Sequence, residues 1–329
     1  MCCLFGLLDP NHAFSGKTKT QMLHTLATVS ESRGVDASGI AFHNGREIQI
    51  VKHPVPGHKL KFHVRSDTSV VMGHTRMATQ GNAKWNENNH PFIGNVAGRP
   101  FALAHNGVIL NDEDLRAEMK LPKTQIETDS YIAVQILEAL DELSFEALQF
   151  LTEQLYGSFT FTILDDEQAL YIVRGENPMC LCRYPSTGLL LYASTMPILC
   201  GAIRSMPYLS GRQEFIPLTH SNILKISSRG EMELGTFETY DGYSVLGNDG
   251  SYGSFGECYA GNWRVLGSSG TAQNFVRQAE ERRYLLDLKS IAVSEGLNPM
   301  LVDHMIQAGF SFYEIEDFIY NQGSWDGWC

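Results

Sequence analysis

Short apolar runs of strand length recur through the first 235 residues, and they limit the class of fold more than any other feature. They fall at 2–8, 39–43, 48–51, 69–74, 101–105, 159–164, 169–173, 189–193 and 222–226. Each is too short for an independent helix and carries the alternation or continuous apolarity of a half-buried or buried strand. Between them lie helical stripes: Met22, Leu26 and Val29; then Ile132, Ile136, Leu137 and Leu140; then Phe145, Leu148, Leu151 and Leu155. Strand runs and helix runs are partly segregated along the chain. That order predicts antiparallel sheet with helices packed outside it, an α+β arrangement, rather than alternating βαβ units.

After about residue 240 the character changes. The stretch "YDGYSVLGNDGSYGSFGECYAGNW" is rich in Gly, Ser and aromatics, a composition that raises the entropic cost of order and reads as a linker or irregular loop. Helical patterns follow at 275–293, 299–307 and 311–320. The expected organisation is therefore a main domain at 2–238, a linker at 239–272 and a small helical module at 273–329.

Composition removes several classes of function. The chain has 329 residues, 43% of them hydrophobic and 19% charged, which supplies a large core and argues against disorder. Asp and Glu (37) outnumber Lys and Arg (25), and no basic stripe occurs, so no nucleic-acid partner is expected. No apolar stretch reaches the roughly 18 residues of a membrane span, and the start lacks the pattern of a secretory signal. A cytoplasmic protein with no membrane partner is the expectation. The cysteines are seven and irregularly spaced, which fits reduced thiols. Cys180 and Cys182 form a CxC pair without a second ligand pair, and His53, His58 and His63 recur among Pro and Lys; neither reads as a metal site. No phosphate loop is present. Nothing in the sequence sets the oligomeric state, so an oligomer stays open.

The chain begins MCCLFGLL. Cysteine is appreciably ionised near neutrality and intrinsically nucleophilic, but it needs a base. Removal of Met1 would leave Cys2 bearing a free α-amine of ordinary pKa roughly 8. Nucleophile and base would then reside in one residue.

Five further motifs follow in order: "SRGVDASGIAFHNG" (32–45), "GHTRMATQG" (73–81), "NENNHPF" (86–92), "LAHNGVILN" (103–111) and "ETDSYIAVQILE" (127–138). Together with "MCCLFG" they make the chain similar, over roughly residues 2–230, to the class II glutamine amidotransferase domain of the N-terminal-nucleophile hydrolases. The resemblance implies a four-layer αββα sandwich of two stacked, mainly antiparallel sheets. It also implies a site. Cys2 would be the nucleophile, with Asn106 and Gly107 forming the oxyanion hole. Arg76 would take the substrate carboxylate and Asp129 its ammonium, with Thr79 and His90 completing the substrate pocket. Arg33 and Asp36 would support the nucleophile strand. Taken alone, Asn106-Gly107 between apolar runs is instead the signal of a type I′ hairpin turn, and Asp129 is an acid in the first turn of a helix.

The implied chemistry is acyl transfer through a γ-glutamyl thioester, with neither metal nor organic cofactor. Ammonia would be released for an acceptor on a separate protein, because fewer than 100 residues follow the resembling region. Two other readings remain: hydrolysis of a different γ-glutamyl amide, or an inactive domain that only binds a partner. The departures from the family pattern bear on both. Cys3 stands where Gly is usual, adding a side chain beside the nucleophile. Met77 and Gln80 stand where synthase-coupled relatives often carry Trp and His.

Overall fold

The computed structural model describes residues 2–238 and, beyond them, 288, 289, 292, 297–307, 310, 315, 318 and 319. The expected linker at 239–272 and most of the expected helical module lie outside the described residues. The chain divides into two compact units, one of which contains residues 2–238. In the C-terminal region the described helix is Met300–Gln307.

Residues 2–238 carry two sheets. The first is built from β1 (Cys3–Leu8), β2 (Ala37–His43), β3 (Ile48–His53), β4 (Val70–Arg76), β9 (Cys180–Arg183), β10 (Leu190–Ala193) and β11 (Glu214–Ile216). The second holds β5 (Phe92–Val96), β6 (Arg99–Ile109), β7 (Gly157–Asp165), β8 (Leu170–Arg174), β12 (Asn222–Ile226) and β13 (Met232–Thr236). Strand order is β11-β9-β10-β1-β4-β2-β3 in one and β13-β12-β8-β7-β6-β5 in the other. Every described pairing is antiparallel.

The helices are α1 (Gly16–Val29), α2 (Asp112–Glu118), α3 (Tyr131–Leu140), α4 (Phe145–Gln154) and α5 (Met196–Arg204). Ser15 caps α1 by accepting from Thr18 N, and Ser144 caps α4 by accepting from Ala147 N, which satisfies amide donors that the first turn leaves free. α1 and α5 pack on the first sheet, against β1 and β10. Ile132, Ile136, Leu137, Leu148 and Leu151 of α3 and α4 join Phe101, Leu103, Phe159 and Phe161 in a core on the outer face of the second sheet. A separate core lies between the sheets: Leu4, Leu8, Met72 and Tyr192 meet Ala102, Ala104, Ile172 and Leu224. The layers are helix, sheet, sheet, helix, the expected αββα sandwich.

β1 is the central strand of its sheet, flanked by β10 and β4, and all six of its residues are buried. A strand buried on both faces needs a continuous apolar run, and CLFGLL supplies it. Just past its end, Asp9 pairs with Lys19 at 2.9 Å with both side chains fully buried. Asp9 also accepts from Ala13 N and Phe14 N, and the Lys19 ammonium donates to the carbonyls of Ser66 and Thr68, so the charges are fully bonded, as burial requires.

Asn106 and Gly107 form no hairpin turn. They sit inside the eleven-residue strand β6, opposite Thr160 and Phe159 of β7. Gly107 has φ +135°, and a Cβ there would lie 1.9 Å from the Ser158 carbonyl oxygen. The glycine serves close approach of two strands, a role short-range turn statistics do not separate from a turn. Cys180 and Cys182 are buried in β9, and no group of three or more metal-ligating side chains occurs among the described residues. Cys200 is disulfide-bonded, against the expectation of reduced thiols. No helix among the described residues is long and apolar enough to cross a membrane.

Candidate active site

Strand ends and one helix start converge at one end of the sandwich. Cys2 precedes β1, Arg76 ends β4, Gly107 lies in β6, and Asp129 lies two residues before α3. Cys2, Arg76, Thr79, His90, Gly107 and Asp129 all line one narrow cleft, with Met77, Gln80, His105, Thr128 and Ser130. A larger hollow, lined by Leu8, Pro10, Arg183 and Arg229 among others, contains none of the residues singled out from the motifs.

The Cys2 sulfur is held by the backbone of Met77: Met77 N donates to it at 3.4 Å, and the thiol lies 3.5 Å from Met77 O. Burial pushes the Cys2 thiol above its ordinary value, while the Met77 amide and the Arg76 charge pull it back. Desolvation dominates, so the sulfur is a thiol at neutral pH and needs a proton acceptor to react. Cys3 is fully buried, its thiol donating to Leu4 O at 3.3 Å, and strand alternation puts it on the opposite face from Leu4. Its side chain is absent from the cleft lining.

Arg33 Nε donates to Cys2 O at 2.9 Å. Asp36 accepts from Ala78 N at 2.8 Å and its own N–H donates to Arg76 O at 3.0 Å, fixing the chain that leaves β4 beneath the sulfur. Arg76 is buried and donates to Asn89 Oδ1 (2.8 Å), Gln80 O (2.5 Å) and Gly81 O (3.2 Å). Burial pulls its pKa down, opposed by Cys2, Asp129, Asp36 and Glu127. It remains a cation. The segment 77–89 that it holds is also laced by amides: Asn88 Nδ2 donates to Glu127 Oε2 at 2.9 Å, and Asn89 Nδ2 to Ala83 O at 2.8 Å.

Asp129 accepts from Ile109 N at 2.7 Å and from Ser130 Oγ at 3.3 Å. Behind it, His105 Nδ1 meets Ser130 Oγ at 2.7 Å. Both ring nitrogens of His90, Nε2 of His105 and Oγ1 of Thr128 are buried without a protein partner. All three residues line the cleft, so it carries unfilled hydrogen-bonding capacity. Burial pushes His90 well below its ordinary value, aided by His74, His105, Arg76 and Lys52; it is a neutral ring. Asn106 is buried beside Gly107, its amide 2.6 Å from Ser194 Oγ, and is not in the cleft lining.

Residues 74–201 match the family model described as a glutamine amidotransferase domain. The chain thus carries a glutamine amidotransferase domain over those residues. It is 29% identical over 252 residues to the glutamine–fructose-6-phosphate aminotransferase (isomerizing) of Listeria innocua, covering 74% of this chain and 38% of that protein. The enzyme of the same name from Staphylococcus aureus is 32% identical over 192 residues, covering 55% and 30%. The chain thus spans well under half the length of these relatives. In fold, the domain is similar to the glutamine phosphoribosylpyrophosphate amidotransferase of B. subtilis, with TM-score 0.58 at 17% identity over 73% of this chain and 50% of that one. That likeness bears out the expected αββα sandwich of two stacked antiparallel sheets.

Motif reading singled out neither Ser130, Thr128 nor Ser194, and it took Met77 only as a departure from the family pattern, not as a backbone contact to the sulfur. Met77 acts through its backbone, which leaves no trace in residue type. The serines and the threonine are small polar residues: Thr128 and Ser130 line the cleft, and Ser194 bonds Leu4 and Asn106 outside its lining.

Proposed function

We propose that the domain hydrolyses the side-chain amide of glutamine, with Cys2 as nucleophile once Met1 has been removed. One observation carries the reading: a thiol, a fixed guanidinium, a carboxylate and a strained-strand glycine open onto a single cleft. Glutamine presents a carboxylate, an ammonium and a polarisable amide, and each meets its complement there. The Arg76 fork suits the planar carboxylate. Asp129 takes the ammonium, and Thr79 and neutral His90 complete the pocket as hydrogen-bonding groups.

In this reading the Cys2 amine accepts the thiol proton as Sγ bonds to the amide carbon. The carbonyl electrons move to oxygen, where the N–H of Gly107 and the amide of Asn106 stabilise the developing charge. The ammonium then returns its proton to the leaving nitrogen, the C–N bond breaks, and ammonia departs from a γ-glutamyl thioester. Water, deprotonated by the same amine, attacks the thioester; glutamate leaves and the thiol is restored. Arg33 and Asp36 hold the nucleophile and the chain beneath it.

The buried, inward-turned Cys3 favours this reading over an inactive binding domain, since it leaves the cleft free. The intact mass of the protein before and after treatment with a glutamine-mimicking electrophile is the test. The expected result is a chain lacking Met1 that takes up one equivalent of label on Cys2, and releases ammonia from glutamine until Cys2 is changed to Ala. An unlabelled or unprocessed protein overturns it. Turnover of another γ-glutamyl amide without turnover of glutamine would reassign the substrate.

A further inference from the structure

Asn106 is 1% exposed, and its two terminal side-chain atoms are treated very differently. One lies 2.6 Å from Ser194 Oγ; the other is buried without a partner. With nitrogen facing the serine, the orphan is a carbonyl oxygen, which has only lone pairs to offer in a site where negative charge develops. A half-turn of the amide exchanges the two atoms without changing the shape of the group, so their assignment rests on the hydrogen-bond network.

The network favours the exchange. A separation of 2.6 Å is short for N–H···O bonds, which centre near about 2.9–3.0 Å, and ordinary for O–H···O bonds, which span about 2.5–3.0 Å. Ser194 Oγ already accepts from Leu4 N at 2.8 Å, and its single proton needs an acceptor. Leu4 O lies 3.3 Å away and is already engaged by Ser194 N at 2.9 Å. An oxygen of Asn106 is the nearer and less occupied choice.

We propose that Ser194 is a positioning residue whose hydroxyl donates to Asn106 Oδ1 and so turns the Asn106 NH2 group into the donor available to the oxyanion. The same hydroxyl oxygen accepts from Leu4, two residues past the nucleophile. Ser194 follows directly on β10 in one sheet and Asn106 lies in β6 of the other, so this one side chain sets the strand bearing Cys2 and the oxyanion donor in a common register. The proposal rests on the glutamine-hydrolysis reading and deepens it.

The experiment compares wild type, Ser194→Ala and Ser194→Thr in the full chain. It measures kcat and KM for glutamine and, separately, the rate at which iodoacetamide alkylates Cys2, a reaction that needs the sulfur but no oxyanion donor. Ser194→Ala is expected to lower kcat by about 100-fold, as loss of an oxyanion donor does, with KM and the alkylation rate near wild type; Ser194→Thr, which keeps the hydroxyl, restores most of kcat. Wild-type kcat in Ser194→Ala, or equal losses of kcat and alkylation, overturns the proposal. Should the alanine variant fail to fold, neutron diffraction from wild-type crystals decides it: deuterons on the Asn106 atom facing away from Ser194 support the assignment, and deuterons on the facing atom refute it. A wild type that alkylates at Cys2 but releases no ammonia from glutamine overturns the proposed function instead, and the neutron result still judges the amide.

Discussion

Arg33 Nε donates to the carbonyl oxygen of Cys2 at 2.9 Å, so the residue meant to attack is held at its backbone by a cation from 31 positions away. Cys2 precedes β1 and has no ladder partner of its own among the described pairings. The guanidinium takes the place of a strand neighbour. A charged donor to a carbonyl is worth about 1.5–3 kcal/mol, which on the proposed reading helps to fix the nucleophile. Arg33→Met is expected to lower kcat for glutamine about 10- to 100-fold with KM within about twofold. Steady-state kinetics on a variant with unchanged far-UV circular dichroism checks this; an unaltered kcat would remove Arg33 from the support of the nucleophile.

Arg76 has two tasks that a lysine cannot share. Its guanidinium already holds Asn89 Oδ1, Gln80 O and Gly81 O, and the proposed substrate carboxylate needs the same fork. An ammonium is a compact point charge without the planar geometry. Arg76→Lys should therefore raise KM for glutamine by about 10- to 100-fold, the worth of a charge-assisted bond. It should also hasten cleavage within 77–89 under limited proteolysis. Kinetics that change without any change in the cleavage pattern would mean that Arg76 does not order this segment.

Gly107→Ala tests the closeness of β6 and β7. A Cβ would lie 1.9 Å from Ser158 O, on a backbone with φ +135°, and that oxygen belongs to a paired strand that cannot withdraw alone. The strands must part at the proposed oxyanion donor. The expected outcome is a loss of at least about 100-fold in kcat and a lowered unfolding midpoint; retention of wild-type turnover would show that the Gly107 amide is not part of the hole.

These positions also show what the sequence conceals. The run at 222–226 is the strand β12 residue for residue, because Ile223 packs under the helices while Leu224 and Ile226 pack between the sheets, and burial on both faces keeps the run apolar. β5 escaped because its inward Gly94 breaks that pattern: a Cβ there would meet the Phe101 ring at 2.4 Å, so packing demanded a residue that reads as a breaker. β13 carries Glu233 and an exposed Leu234 at the sheet's edge, where amphipathic alternation has no reason to survive. α2 is short, acidic and anchored by Leu115. Six residues named from the motifs, Cys2, Arg76, Thr79, His90, Gly107 and Asp129, do line one cleft. Ser194 was not legible, because its importance comes from two strands, β1 and β6, distant in sequence, that meet at its hydroxyl.

The buried imidazoles make stability depend on pH. His74, His90 and His105 are all buried; the His74 and His90 rings lie 4.2 Å apart, and His74 Nε2 meets His105 O at 3.0 Å. Burial pushes His74 down to about 3, with Arg76 adding to the effect. His90 is pushed well below its ordinary value and His105 is lowered, burial again being the chief cause. In the unfolded chain each would bind a proton as pH falls below about 6.5, while the folded protein keeps the rings neutral. The unfolded state then holds more protons, so stability rises with pH through this window and is lost as pH falls. Each ring contributes up to about 1.4 kcal/mol per pH unit once the unfolded ring is fully protonated, and the three together up to about 3 kcal/mol between pH 6.5 and 5.5, where the unfolded rings are still titrating. Urea unfolding at a series of pH values should give a midpoint that drops steadily over this range. His74→Gln, which retains a donor for the His105 carbonyl, should flatten the slope by roughly a third. A slope unchanged by the substitution would mean that His74 takes up no more protons on unfolding than the native ring holds.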